Sequence, residues 1–155
     1  MIAGVIEGFY GPPWSLDDRL HCVDRIAEWG GNWYVWAAKS EPRHREFWSD
    51  PFTADELADF ATIASRTSVS LSIGLTPGAS AMSDDVIAKL RPAVAAGARG
   101  ITLCFDDLPA LGAGRRHREI ANDVLATFGI DVWLVPTHYA GSQRSAYLDE
   151  LCDGL

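Results

Sequence analysis

Five times along the chain a short apolar run gives way to a longer amphipathic segment. The interval is roughly 30 residues, the length of one βα unit. The runs are Ala3–Glu7, Asn32–Ala37 ("NWYVWA"), Ser70–Leu75 ("SLSIGL"), Gly100–Phe105 ("GITLCF") and Asp131–Val135 ("DVWLV"). Each reads as a strand apolar on both faces, which implies a parallel sheet covered by helices. The intervening segments carry helix signals. Leu16–Trp29 follows Ser15, an N-cap residue, with Asp17 and Asp18 in the first turn. Thr53–Arg66 opens on Thr53 with Glu56 three residues on, the spacing of a capping box. Ser83 precedes Asp84 and Asp85 in the same way, predicting a capped helix over 83–96. Gly114–Phe128 and Ser145–Cys152 complete the set.

A βα repeat of this length suits a doubly wound sheet or a (β/α)8 barrel. Two features favour the barrel. No GxGxxG or P-loop follows the first strand. Nearly every strand also ends in a polar or glycine-containing cluster: Glu7-Gly8, Lys39-Ser40-Glu41, Pro77-Gly78, Asp106-Asp107 and Thr137-His138-Tyr139. Barrels collect their chemistry at the C-terminal ends of the strands. A full barrel takes eight units and about 250 residues, whereas this chain has 155. The expectation is an α/β chain of the TIM-barrel type with about the first five βα units, residues 1–155 forming the N-terminal part of a catalytic domain.

Composition removes several classes of partner. Apolar residues make up 48% of the chain, enough for a real core. The net charge of −8 argues against a nucleic-acid backbone and against an anionic membrane surface. No apolar run approaches the roughly 20 residues that span a bilayer, and the N-terminus lacks the basic start of a signal peptide. Cys22, Cys104 and Cys152 are odd in number, far apart and without metal-ligand spacing. Reduced thiols in a cytoplasmic protein are the simplest reading.

The stretch "LCFDDLP" (Leu103–Pro109) sets two adjacent carboxylates after an apolar strand. Like charges side by side cost stability unless something is gained. At a strand end the two can reach the mouth from different angles, and different environments suit two carboxylates to two jobs. One stays ionised beside a positive centre while the other gives up a proton. A helix N-cap and a pair of oxygen ligands for a metal, with His44 and His138 as further candidates, are the rival readings.

Further motifs run in a consistent order: "GVIEGFYGPPWSLDDR" (4–19), "NWYVWAAKSEPRHREFW" (32–48), "LTPG" (75–78), "FDDLP" (105–109) and "VPTHYAG" (135–141). Together they resemble the catalytic domain of glycoside hydrolase family 84, the O-GlcNAcases and bacterial β-N-acetylglucosaminidases. The resemblance implies removal of terminal β-linked N-acetylglucosamine by a retaining, substrate-assisted mechanism, in which the sugar's own acetamido carbonyl attacks the anomeric carbon. By that resemblance Asp106 orients the acetamido N–H, and Asp107 acts as acid and then as base. Gly8 presents a backbone carbonyl to a sugar hydroxyl, Lys39 hydrogen-bonds a ring hydroxyl, and Tyr139 contacts the acetamido group. Neither metal nor organic cofactor is implied. The partner is a glycan or glycoprotein bearing N-acetylglucosamine. His44 and Arg45 read as structural, His138 takes no role, and the six tryptophans read mostly as packing.

The chain departs from the family pattern in three places. Pro-Lys-Asp-Asp is here Ala38-Lys39-Ser40-Glu41. The segment "PGASAMSDD" lacks an acidic residue directly after Pro-Gly. Strands six to eight, which carry further sugar contacts in the family, have no counterpart before Leu155, a position expected to lie inside the fifth helix. An unclosed barrel exposes two strand edges and its inner face. Self-association, pairing with a complementary half-barrel, or a place within a longer natural protein is therefore expected. The alternative to an enzyme is a catalytically incomplete half-barrel that binds a sugar or a partner.

Overall fold

The computed structural model describes residues 1–141 and 144–153. Its elements alternate strictly: β1 (Gly4–Ile6), α1 (Leu16–Glu28), β2 (Trp33–Trp36), α2 (Ala54–Ala64), β3 (Ser70–Leu75), α3 (Ser83–Ala95), β4 (Gly100–Cys104), α4 (Gly114–Phe128), β5 (Asp131–Val135) and α5 (Ala146–Cys152). The five strands are parallel and lie in the order of the chain, β1-β2-β3-β4-β5. A doubly wound sheet would reverse its order at a switch point. An unreversed order, with every crossover of one hand, curls the sheet and keeps its helices on the outside. The architecture is an incomplete (β/α)8 barrel.

Alternation along each strand separates two environments. Tyr34, Trp36, Leu71, Ile73, Leu75, Ile101, Leu103 and Phe105 point outward and form one core with Val23 and Ile26 of α1, Phe60 and Ile63 of α2, Val86 and Leu90 of α3, and Ile120 and Val124 of α4. The inner face differs from the expectation of strands apolar on both sides. It is built largely of small or polar residues: Ser72, Gly74, Gly100, Thr102 and Cys104. The Ser72 and Thr102 hydroxyls satisfy each other at 2.8 Å. Across them Trp33 meets Trp133 edge to face, ring centroids 4.5 Å apart. Gly100 makes room for this, since a Cβ there would stand 2.9 Å from the Trp33 ring. In runs of five or six residues, small side chains pass for apolar ones, so the sequence pattern blurs the two faces.

The helix starts follow local chemistry. Ser15 with Asp18, and Thr53 with Glu56, form full capping boxes. The expected Ser83 cap does not form. Met82 is the N-cap and Ser83 is already helical, so its hydroxyl makes no cap bond. Asp84 and Asp85 still face the positive end of the helix dipole. Gly129 takes a left-handed conformation (φ 62°) and stops α4 where the sequence places its end. The fifth helix ends at Cys152 with Asp153 as C-cap, before Leu155, which lies outside the described residues. β1 is short, and its Ile6 is 58% exposed. No described helix is long and apolar enough to cross a membrane.

Candidate active site

Lys39 and Asp106 follow the ends of β2 and β4, strands that are not neighbours. Between them lies β3, whose continuation Thr76-Pro77 is buried. Ala37 and Ala38, also buried, keep the ground beneath the lysine low. Lys39 therefore reaches over the end of β3, and its Nζ meets Asp106 Oδ2 at 2.8 Å. Both side chains are largely enclosed, at 12% and 16% exposure. The other oxygen, Asp106 Oδ1, is buried and has no hydrogen-bond partner among the described residues. A buried carboxylate oxygen without a donor is costly.

Asp107 turns the other way. It is 41% exposed at the side chain and pairs through Oδ2 with Arg45 Nη1 at 2.8 Å. The same Nη1 donates to the Tyr10 hydroxyl at 3.0 Å, and that hydroxyl stands 3.5 Å from Asp107 Oδ2. The Tyr10 hydroxyl, and then Asp107, push the Arg45 guanidinium above its ordinary range, so it is a permanent cation. The adjacent aspartates thus occupy distinct surroundings, one enclosed beside a lysine and one half-open beside an arginine. Neither caps a helix, because α4 begins at Gly114 with Ala113 as N-cap. Arg45, read from sequence as structural, pairs with Asp107.

Phe105, the residue before the pair, is fixed from behind. The His117 ring stacks on it at 3.8 Å and 5°. Burial lowers the His117 pKa to about 4. Its Nδ1 lies 2.9 Å from the Tyr147 hydroxyl, which also accepts from Thr137 N at 3.1 Å. Thr137 Oγ1 in turn donates to the Phe105 carbonyl at 2.7 Å. This chain of contacts ties the loop after β5 to the base of Asp106. Two residues beyond Thr137, Tyr139 is 70% exposed. It lines, with Asp106, Thr137 and His138, an open cleft of about 450 Å³. Gly8 sits exposed just past β1, where a Cβ would come within 3.3 Å of Ile6 Cγ2. No bond joins Gly8 or Tyr139 to either aspartate. Of the sequence-selected residues, Lys39 and Asp106 touch, Asp107 adjoins them, Tyr139 shares the cleft and Gly8 stands on the neighbouring strand end.

The sequence reading gives no role to the buried network that supports these loops. Glu7, fully enclosed, accepts from Arg19 Nε and Nη2, both at 3.0 Å, from the Tyr34 hydroxyl and from Trp14 N at 3.4 Å. Arg19 Nη2 also reaches Glu41 Oε1 at 2.5 Å. Glu41 lies two residues after Lys39, so the network holds the lysine-bearing loop. Lys39 N, bonded to the Phe9 carbonyl at 3.0 Å, adds a second tie. A signal is present in the sequence: Arg19 shares the buried stripe of α1 with Val23 and Ile26, and an arginine there needs an internal anion. His44 is core, its ring edge-on to Trp36 and Nε2 3.4 Å from Thr76 Oγ1, with burial lowering its pKa to about 4. His138 Nδ1 lies 2.8 Å from Ser145 Oγ. Among the described residues, no three His, Cys, Asp or Glu side chains are grouped to hold a metal ion. The three cysteines are free thiols.

Comparison with known proteins adds relatives. The chain is 28% identical over 116 residues to the Protein O-GlcNAcase of Rattus norvegicus and to that of Mus musculus. Each match covers 69% of this chain and 13% of the relative, so the chain spans about an eighth of those proteins. Among solved structures, an O-GlcNAc hydrolase mutant from Thermobaculum terrenum superimposes with a TM-score of 0.88, over 99% of this chain and 39% of that one, at 23% identity. The likeness establishes the fold. CpGH84B superimposes with a TM-score of 0.83 at 26% identity, covering 98% of this chain and 31% of that one. The beta-N-acetylglucosaminidase (NAGidase) family pattern matches residues 3–155. A match that spans every strand end described above makes this chain a member of glycoside hydrolase family 84, the β-N-acetylglucosaminidases.

Proposed function

We propose that the chain forms the N-terminal part of a glycosidase domain that removes terminal β-linked N-acetylglucosamine with retention, through an oxazoline intermediate. The observation that carries this reading is the pair of adjacent aspartates in distinct surroundings, Asp106 enclosed against Lys39 and Asp107 half-open against Arg45. Asp106 lines the cleft with Thr137, His138 and Tyr139, and the acetamido N–H of a bound sugar there donates to its carboxylate while Lys39 holds Oδ2. As the acetamido carbonyl attacks the anomeric carbon, positive charge grows on the amide nitrogen, and the ionised Asp106 offsets it. Asp107, more open and one residue on, gives its proton to the departing glycosidic oxygen. It then takes a proton from the water that opens the oxazoline at the anomeric carbon. Sugar, water and two carboxylates balance the reaction without a cofactor. Retaining enzymes more commonly use a second carboxylate as nucleophile. Here the substrate's own carbonyl takes that part, which is why adjacent aspartates suffice.

Lys39 and Tyr139 line the sugar's position, and Gly8 lets a backbone carbonyl approach a hydroxyl closely. The names of the relatives, O-GlcNAcase and O-GlcNAc hydrolase, support the substrate class. Hydrolysis of a chromogenic β-N-acetylglucosaminide by the chain, beside Asp106→Asn and Asp107→Ala, tests the reading. Turnover that falls at least a hundredfold in each variant is expected. Turnover absent from all three proteins overturns catalysis by this chain alone. The second reading, a half-barrel that binds sugar or a partner without turnover, draws on the open β1 edge with its exposed Ile6. It predicts sugar binding without product.

A further inference from the structure

If Asp107 protonates the leaving oxygen, the leaving group must lie on the Asp107 side of the cleft. That side is lined by Arg45 and Tyr10. Both recorded contacts of Arg45 use Nη1. Among the described residues its Nε and Nη2 have no partner, and its side chain is 34% exposed. Charges at the site balance in two pairs, Lys39 with Asp106 and Arg45 with Asp107. The balance does not survive the first chemical step. To give up a proton Asp107 must first carry one, and a neutral carboxyl is no counter-ion for a guanidinium. The state competent for catalysis therefore holds an unneutralised arginine beside the leaving group, with two N–H directions open in a fork suited to a carboxylate.

From this geometry we propose that the leaving-group side is an anion subsite: the preferred aglycone carries a carboxylate within reach of Arg45. The inference rests on the assignment of Asp107 as proton donor. When such an aglycone binds, its carboxylate takes the open Nε–Nη2 side of Arg45 and supplies the counter-charge that a protonated Asp107 no longer provides. A neutral aglycone leaves that guanidinium without a counter-ion once Asp107 carries the proton. The exposed Tyr10 ring, 71% accessible, offers the flat apolar surface against which the rest of the aglycone can lie. The chain's net charge of −8 opposes an anion at long range. Selectivity therefore arises from the local guanidinium and not from steering, and it should weaken with salt.

The test uses two non-hydrolysable S-linked N-acetyl-β-glucosaminides, one of 3-mercaptobenzoate and one of 3-mercaptobenzamide, titrated calorimetrically into the chain and into Arg45→Gln. At low salt the benzoate is expected to bind about tenfold more tightly than the amide. In half-molar salt the preference should shrink several-fold, and in Arg45→Gln it should vanish while amide binding persists. Equal binding of the two ligands by the unmodified chain overturns the anion subsite and leaves the sugar assignment standing. A preference retained in Arg45→Gln overturns it as well. Binding of neither ligand overturns the sugar assignment, and this inference with it. The salt comparison needs only the unmodified chain, so a variant that fails to fold does not remove the test.

Discussion

Glu7→Gln is the substitution that most directly probes how the site is held. Glu7 has no solvent exposure and receives four donors: two from Arg19, one from Tyr34 and one from Trp14. Glutamine keeps the shape but turns one acceptor into an NH2 group that faces donors. Each charge-assisted bond is worth about 1.5–3 kcal/mol, and breaking a buried ion pair costs about 3–5 kcal/mol. Arg19 retains Glu41 at 2.5 Å, which places the expected loss near the lower end, about 3 kcal/mol. For 155 residues this lowers Tm by roughly 6–12 °C. Urea and thermal denaturation followed by circular dichroism measure both quantities. A double variant, Glu7→Gln with Arg19→Met, should cost less than the sum of the single changes, because the two act on one interaction. The opposing effect is explicit: the network holds two carboxylates against one guanidinium, so removing a negative charge also relieves repulsion. If repulsion outweighs pairing, Glu7→Gln will be neutral or stabilising. A loss below about 1 kcal/mol would refute the claim that this network holds the Lys39 loop.

Lys39→Met leaves Asp106 without its partner, and turnover on a chromogenic substrate should fall at least tenfold while circular dichroism stays unchanged. His117 and His44 are buried, and their pKa values are lowered from the ordinary 6.5 to about 4. Between pH 6.5 and 4 the unfolded chain binds the protons that the folded chain refuses, so stability is full above 6.5 and lost as pH falls toward 4. Each histidine contributes about 3 kcal/mol to that loss, and denaturation midpoints at pH 7 and pH 4.5 should record it, with a shallower slope in His117→Phe. Gly74→Ala would set a Cβ 2.5 Å from the Ala37 Cβ and 2.7 Å from the Trp36 carbonyl. A loss of about 2 kcal/mol in urea denaturation is expected, and a neutral result would mean that β2 and β3 shift freely. The exposed edge of β1 predicts concentration-dependent association, and a monomer peak at every concentration in size-exclusion chromatography would contradict it.

The order of elements was legible because periodicity and caps agree. Ser15 and Thr53 cap as their spacing demands, and the apolar runs fall on strands within a residue or so of the observed bounds. The choice between barrel and doubly wound sheet rested on missing phosphate loops and on polar strand ends, and the strand order decides it. What escaped the sequence depends on contacts between distant elements. Ser83 was misplaced by one residue because a run of Ser-Asp-Asp fits two cap registers equally well. Arg45 was dismissed because nothing local to "PRHREF" tells which aspartate its side chain meets across the mouth. Glu7 was passed over because an acid at a strand end suggests solvent until Arg19 and Tyr34 are seen to enclose it. Asp106 was selected from the adjacent carboxylates and Lys39 through family likeness, and their pairing across β3 could not be derived from spacing alone.

The Trp33–Trp133 pair has a consequence for the shape of the sheet. The two indoles lie over Ser72 and Gly100 and join β2 to β5, strands that are not neighbours. Their contact exists only while the sheet is curled, so flattening it would part the rings. Because both rings are tryptophan, their edge-to-face contact offers an intrinsic fluorescent gauge of that curl.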